Sequence, residues 1–470
     1  MSKLIKNELI KIFSKKSMIV IGVIILVIII GFNVLNKVSQ NVSNSYSAYS
    51  ESYIQYLDEE LSNLDPNKPS DINKYVETKS QKDVATLAKD YKETSWQAEV
   101  IGTVISPIIE EINNYEYVDK NNEALTASKT KYDEMLTALK KEDWKYFANK
   151  ELENINTQIE DLKTQLKSLE LQKEVVNLRL DKNINYGSDN YKSIAVQNYR
   201  MYMGNYIQSS QNKNLTDDEK SEINGYLENA NLYKYDLYND TEYQNTATAN
   251  YTFQNSIGTY IAIIVMVVVI VAGVSISEEF NKGTVKLLLV RPYSRTKILI
   301  SKLIAVFITM LITTVAILLL QFIIGGIVYG FGTYMMNVVQ FDFTTNSIVT
   351  LNIFAYLGLI FVCKLPIFIL IGTLAFALST LFLNSPLAVA LPILGYMGSD
   401  VINMIAIAYK WDWVKYFVTP NWDLSQYLFG GTPMFSGISI EFSITICAIY
   451  FVIMLVASIV SFKKRNIKNV

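Results

Sequence analysis

Between Ser277 and Lys302 the chain reads SEEFNKGTVKLLLVRPYSRTKILISK, and its charges are ordered. An acidic pair, Glu278 and Glu279, comes first; the cations Lys282, Lys286, Arg291, Arg295 and Lys297 follow. Carboxylates at such a position can cap the helix that follows or pair with cations on another chain. Gly283 can punctuate a helix, and Pro292 cannot occupy a helix interior without cost. The spacing therefore predicts two short amphipathic pieces, broken near Pro292. Two more ionisable residues, Lys364 and Asp400, stand inside apolar runs, where a charge is expensive and by default functional or paired. None of this is catalytic chemistry, and no catalytic residue is assigned. The chain has no histidine, which excludes a His-ligated metal site and a nucleophile–histidine pair. It has no G-x-x-x-x-G-K-S/T phosphate loop, and Gly325-Gly326 and Gly430-Gly431 are isolated and apolar-flanked. Cys363 and Cys447 lie in apolar runs and suit neither zinc nor an exposed disulfide. No carboxylate cluster stands out for a cation, and no metal site or bound cofactor is expected.

Around this segment the chain of 470 residues, 50% hydrophobic, is too long and too apolar for one soluble domain. Runs of about 18 or more apolar residues read as membrane helices. The first, within residues 17–37, could pass for the core of a signal peptide. No small-x-small cleavage site follows it, so it reads as an uncleaved span. Five more fill residues 257–470: Ile257–Ile276, Leu303–Tyr329, Asn352–Leu381, Pro386–Tyr409 and Ile438–Ser461. Residues 1–16 place Ile5, Leu9, Ile12 and Phe13 at helical spacing with Lys3, Lys6, Lys11 and Lys15 elsewhere on the wheel. Such a helix can lie in the interface among anionic head groups, or be an ordinary basic flank. The basic N-terminal flank, the segment 277–297 and the tail Lys463, Lys464, Arg465 and Lys468 all fall on one side if odd spans run outward. By the positive-inside rule that side is the cytoplasm, with both termini inside the cell membrane. Thr333–Ser347 reads as a short outer loop. Residues 410–437, rich in tryptophan, tyrosine and phenylalanine, read as an outer re-entrant or interfacial helical hairpin.

Residues 38–256 form a large polar insertion. Val38–Asn255 holds 23 basic and 36 acidic residues, a net charge of 23 − 36 = −13, against +11 for the remainder. The asymmetry fits either capture of cationic molecules or plain solubility. Few glycines or prolines and no strand alternation predict a helical domain. Over residues 150–182 a 3-4 spacing of Leu152, Ile155, Ile159, Leu162, Leu166, Leu169, Val176 and Leu180 predicts a coiled-coil seam. As one helix it would span roughly 50 Å. Val100, Val104, Ile105, Ile108, Ile109 and Ile112 predict a second buried stripe.

The string EEFNKGTVKLLLVRPYSRTKILISK resembles the loop after the second membrane helix of type-2 ABC exporter permeases. The layout is similar as well: an N-terminal elbow helix, six spans, a charged segment after span two and an outer hairpin before span six. The resemblance covers the membrane half; small members of that family lack the insertion. It implies that residues 277–297 carry a coupling helix docking on a separate ATPase subunit. The residues concerned are Glu278, Glu279, Phe280, Gly283, Thr284, Lys286, Leu287, Pro292, Ser294 and Arg295. It also implies a second permease copy, with ATP and magnesium held by the partner ATPase and none by this chain.

Two function classes follow. One is an all-α, six-span transport subunit of an ABC exporter, not itself an enzyme. Candidate substrates are antimicrobial or toxin peptides, lipid-linked molecules and small ions, and the acidic insertion tilts the choice toward a cationic peptide. The other is an ATPase-independent membrane receptor or scaffold with a coiled-coil ectodomain, similar to phage-infection proteins. Nothing points to nucleic acid. For Lys364 and Asp400 three arrangements stay open: a direct pair, separate roles at a carbonyl freed by Pro366 and in an outer vestibule, or snorkelling. Lys364 lies 21 residues before Ser385 and Asp400 15 after it. A straight antiparallel pairing therefore misses by roughly 9 Å.

Overall fold

A computed structural model of the chain describes residues 1–43, 47–161, 166–210, 217–245, 248–285 and 293–465. The chain divides into two compact units, Met1–Leu35 with Thr246–Val470, and Asn36–Asn245. It is nearly all-α. The first unit opens with α1 (Ser2–Phe13) and α2 (Lys16–Ser43).

The second unit follows as α3 (Glu51–Ser62), α4 (Ile72–Ala88), α5 (Trp96–Val100), α6 (Ser106–Asn114), α7 (Asn122–Lys140), α8 (Trp144–Asp161), α9 (Leu166–Lys182), α10 (Tyr191–Ser209) and α11 (Asp217–Asn239). Of the predicted stripe Val100, Ile105 and Ile109, joined by Ile101, are buried against Met135 and Leu139 of α7 and Phe147 and Ile155 of α8, while Val104, Ile108 and Ile112 are half-buried. The stripe is carried through a π-helical turn, Ile101–Ile105, between α5 and α6. The seam over 150–182 is not one long helix. α8 and α9 pack on each other, and beyond the end of α9 the Tyr186 hydroxyl returns to Glu151 near the start of α8 at 2.5 Å. A 3-4 apolar spacing serves two antiparallel helices as well as one long one; residues 162–165 between them lie outside the described residues. α9 is shared by two cores. Val176 faces the first, and Leu171, Val175 and Leu178 meet Val196 and Tyr199 of α10 and Ala230 of α11.

The first unit resumes with α12 (Ala249–Ser275), α13 (Ser277–Asn281) and α14 (Arg295–Tyr329). A hairpin of β1 (Val338–Asp342) and β2 (Ser347–Leu351) follows, then α15 (Ile353–Phe382), α16 (Ser385–Ala408) and α17 (Ile440–Lys464). Among the described residues six helices are long and apolar enough to cross a membrane: α2, α12 continued through α13, and α14 to α17. In lipid each backbone amide must be satisfied within its own segment, so even the β-branched run IAIIVMVVVIVAGV of α12 is helical. α12 packs on α14, α15 and α16 at the centre of the bundle. It begins eight residues before the apolar run because Thr248 caps it and the polar Asn250, Thr252 and Ser256 are buried there.

The loops at 333–347 and 410–437 differ from expectation. The antiparallel hairpin, with Val338 opposite Leu351 and Asp342 opposite Ser347, replaces a plain loop at 333–347. Its β-branched Val338 and Val339 and its aromatic Phe341, types that suit a strand, are buried. Residues 410–437 form no α-helical hairpin. They hold two short 3-10 stretches, Asp412–Tyr416 and Leu424–Gly430, fastened by side chains: the Asn421 amide donates to the carbonyls of Lys415 and Phe417 at 2.7 Å. At Gly430 the backbone φ is +71, and an added Cβ would strike Thr344 in the loop of the strand hairpin, so only glycine fits.

Candidate functional site

The acidic pair after the second span is consumed within the chain. Glu279 is buried at the meeting of three helices, α13, α1 and α14. Its carboxylate accepts from Lys302 of α14 at 3.0 Å, from Lys11 of α1 and from the Thr284 hydroxyl. Lys302, also buried, reaches a second carboxylate, Glu8 of α1, at 2.7 Å. Glu278, one residue earlier, pairs with Lys15 in the turn after α1 and, one turn on, with Lys282 at 2.7 Å. Lys15 stands in the turn between α1 and α2, and Glu8 and Lys11 lie three apart on one face of α1. That face, with the buried Leu4, is turned onto α13 and α14.

The rest of the segment is fastened to the remaining helices. The Ser277 hydroxyl meets Ser385 at 2.6 Å where α16 begins, and its amide donates to Ser379 near the end of α15 at 3.0 Å. Phe280 is buried edge-on to Phe462 of α17, with the Arg465 guanidinium 5.9 Å above its ring. Gly283 turns the chain with φ +68, in open space, so its requirement is conformational and not steric. Ser294 caps α14 by accepting from the amide of Lys297 at 3.3 Å. Arg295 donates to the carbonyls of Lys463 and Arg465, each at 3.0 Å, and so closes the open end of α17. Lys286, Leu287 and Pro292 lie outside the described residues, as does Arg291.

This is a mechanical junction. An alternation of Glu8, Lys302, Glu279 and Lys11 sits where α1, α13 and α14 meet, with Lys302 and Glu279 buried and Lys11 at its exposed edge, and each charge faces its opposite. Such groups are neutralised by one another, and removing one leaves another uncompensated. Among the described residues no group of three or more metal-ligating side chains occurs.

Lys364 and Asp400 do not meet. The Lys364 ammonium pairs with Asp423, in the loop before α17, at side-chain exposures of 17% and 37%. The other oxygen of Asp423 accepts from the amide and hydroxyl of Ser425. Asp400 lies exposed on α16, with no hydrogen bond or ion pair among the described residues. The direct-pair arrangement falls because the long stem of Lys364 reaches the loop, whereas Asp400 sits on the opposite side of its helix from the core.

A second polar cluster lies inside the bundle. Asn33 of α2 exchanges hydrogen bonds with Gln321 of α14 at 2.8 and 3.2 Å, and Gln321 also accepts from Tyr260 of α12. The Tyr329 hydroxyl donates to the Asn33 carbonyl at 3.0 Å. Sequence reasoning passed over Asn33 and Gln321, although an amide within an apolar run is a visible signal. It also passed over Glu8, Lys302 and Asp423, whose partners lie tens to hundreds of residues away.

Residues 226–468 match the family described as "Protein of unknown function (DUF2705)". The "Uncharacterized protein YhcI" of Bacillus subtilis (strain 168) is 32% identical over 274 residues, 56% of this chain and 83% of the relative. The "Uncharacterized membrane protein YdbK" of the same strain is 26% identical over 200 residues, 43% of this chain and 76% of the relative. No solved structure matches the chain. The matched residues take in α12 to α17 and the whole charged segment, while most of Asn36–Asn245 lies before them. With its six long apolar helices, this multi-pass membrane protein belongs to the DUF2705 family.

Proposed function

We propose that this chain is the membrane-spanning permease subunit of an ABC exporter, driven by a separate ATPase. The observation that carries the proposal is the anchoring of the segment after span two. Glu278 and Glu279 tie it to α1 and α14, Ser277 ties it to α15 and α16, and Phe280 ties it to α17. A push on this segment is thereby delivered to five helices at once, which a coupling element requires and a plain loop does not. In this reading Glu278 and Glu279 act from behind. They hold the segment, and the ATPase meets residues 282–297. α1 is an interfacial elbow helix, the termini are cytoplasmic, and residues 36–245 lie outside the cell. The poorly covered helices α2, α16 and α17 offer faces for lipid and for a second copy; only 17% of the apolar window of α2 and of α17 is buried, against 56% for α12. The net charge of −13 over Val38–Asn255 supports a cationic substrate, such as an antimicrobial or toxin peptide.

The test is co-purification of the full chain with co-expressed ABC ATPase subunits, followed by ATP hydrolysis measured across a panel of peptides. Stable co-purification with hydrolysis stimulated by cationic peptides supports the reading. No ATPase association under conditions that keep the six spans folded overturns it in favour of a receptor or scaffold.

A further inference from the structure

Charges are rare inside the six long apolar helices. Away from the first and last turns the described residues hold Lys37 of α2, Lys302 of α14, Lys364 of α15 and Asp400 of α16. The cations are answered within the chain. Lys302 faces Glu8 and Glu279, Lys364 faces Asp423, and Lys37 has a partner as well. Asp400 is exposed and has no hydrogen bond or ion pair among the described residues. Ser385 and Ala408 bound its helix, so it lies roughly 22 Å along the axis from one end and roughly 12 Å from the other. Lysine and arginine can reach an interface from such a depth on their long stems; an aspartate has a single methylene. An ionised group held there is expensive and calls for a partner.

The surface around Asp400 is apolar and adaptable. Tyr396 and Met397 lie one turn before it and Met404 one turn after, at the spacings that share a side of a helix. Met397 is 63% exposed and Met404 66%. Methionine is unbranched and polarizable, so its side chain remoulds to apolar bodies of different shape. Tyr396 is half-buried, its ring 6.3 Å from that of Trp422. A single negative charge therefore stands in an apolar frame. A second copy of this chain laid on α16 could cover the methionines, but it would bring to the spans only the same engaged lysines. We infer that Asp400 is a contact for the cationic group of the molecule this permease handles, and that this molecule carries its charge on an apolar body. The carboxylate takes the ammonium or guanidinium, and Met397 and Met404 pack on the apolar part. The inference rests on the proposed permease function and deepens it, because it places cation selection at a named residue of a span and not only on the acidic unit Asn36–Asn245.

The experiment is equilibrium binding of tetraphenylphosphonium to the full chain in phosphatidylcholine nanodiscs, corrected for empty discs and with no ATPase present. Tetraphenylborate, an anion of the same shape, is the control. Loss of a charge at contact distance should weaken the cation about tenfold or more in Asp400→Asn. Asp400→Glu should keep most of the affinity, and neither variant should weaken the anion. Met397→Ala/Met404→Ala should weaken both probes alike, since they share the apolar body. An unchanged melting temperature in Asp400→Asn shows that the loss is not unfolding. Equal affinity of parent and Asp400→Asn for the cation overturns the inference. So does a parent that binds the anion as well as the cation. A particle that falls from two copies to one in Asp400→Asn would assign the carboxylate to a contact between copies and also overturns it. Failure of ATPase association leaves the binding result untouched, and failure of binding leaves ATPase association untouched, so the two readings fail separately.

Discussion

The Lys302 ammonium and the Glu279 carboxylate meet at 3.0 Å with side chains only 2% and 5% exposed, where α14 passes behind α13. Breaking such a pair from one side costs more than the pair contributes, because the survivor keeps its desolvation penalty. Glu279→Gln should destabilise the chain by about 3–5 kcal/mol and Lys302→Met by a similar amount. The double variant should lose clearly less than the sum. Thermal unfolding of the four proteins in one detergent closes the cycle, and strictly additive losses would show that the two charges are independent.

By the same geometry Glu279→Lys is a folding variant. It would place a third cation beside Lys11 and Lys302, so its first effect is on folding. A variant meant to probe docking alone belongs at an exposed position such as Lys282, whose loss should leave the stability within about 0.5 kcal/mol of the parent.

Asp423, not Asp400, is the partner to remove around Lys364. Asp423→Asn and Lys364→Met should each cost about 1.5–3 kcal/mol, the worth of a hydrogen bond to a charged group. Asp400→Asn should leave stability of the isolated chain unchanged in the same melting assay. A large loss from Asp400→Asn in detergent would mean that another group in the chain reaches it.

Gly273 of α12 sits against the start of α16. A Cβ there would stand 2.7 Å from Val389 Cγ2 and 3.0 Å from the Ala388 carbonyl oxygen. Backbone cannot retreat as a side-chain tip can, so Gly273→Ala should force the helices apart at about 1–3 kcal/mol. Gly283→Ala meets no atom but must hold φ at +68, and its cost should be about 1–2 kcal/mol. Cysteine cross-linking between α12 and α16 separates the two, since only the first widens that contact.

In the unit Asn36–Asn245, Glu174 gives a pH test. Burial works to raise its pKa; the Lys234 ammonium at 2.9 Å and the hydroxyls of Tyr199 and Tyr238 outweigh that and leave it below the ordinary glutamate value. A lowered folded-state pKa stabilises at pH above the ordinary value, and the contribution is lost as pH falls through the folded value. The melting difference between parent and Glu174→Gln should therefore be present at neutral pH and shrink on acidification. A difference constant with pH would show that Glu174 acts by packing alone.

The spans were legible because lipid tolerates only long apolar helices, and each run announces itself without its neighbours. The start of α12 was not, since Asn250, Thr252 and Ser256 read as the end of the polar insertion and are buried in the bundle instead. The seam over 150–182 was legible as periodicity but not as two helices, because residues 150–182 hold no glycine or proline to mark a break and the 3-4 spacing carries on. Of the charged segment, its composition and place after the second span could be read. Its inward attachment could not: Glu279 is 268 residues from Lys11, and only the fold brings them together. Lys364 announced the need for a counter-charge but not its address, because Asp423 sits in a loop where an acid raises no question.

The amide of Asn33 has its partner Gln321 288 residues downstream. At ordinary rates of synthesis that length takes roughly 15–60 s to make. Throughout that interval the nascent first helix must wait with a polar group that lipid does not satisfy. Its final seating is therefore a late step of biogenesis, set by the arrival of α14. Truncation of the message before Gln321 should leave a first helix that insertase and quality-control proteases still regard as an orphan.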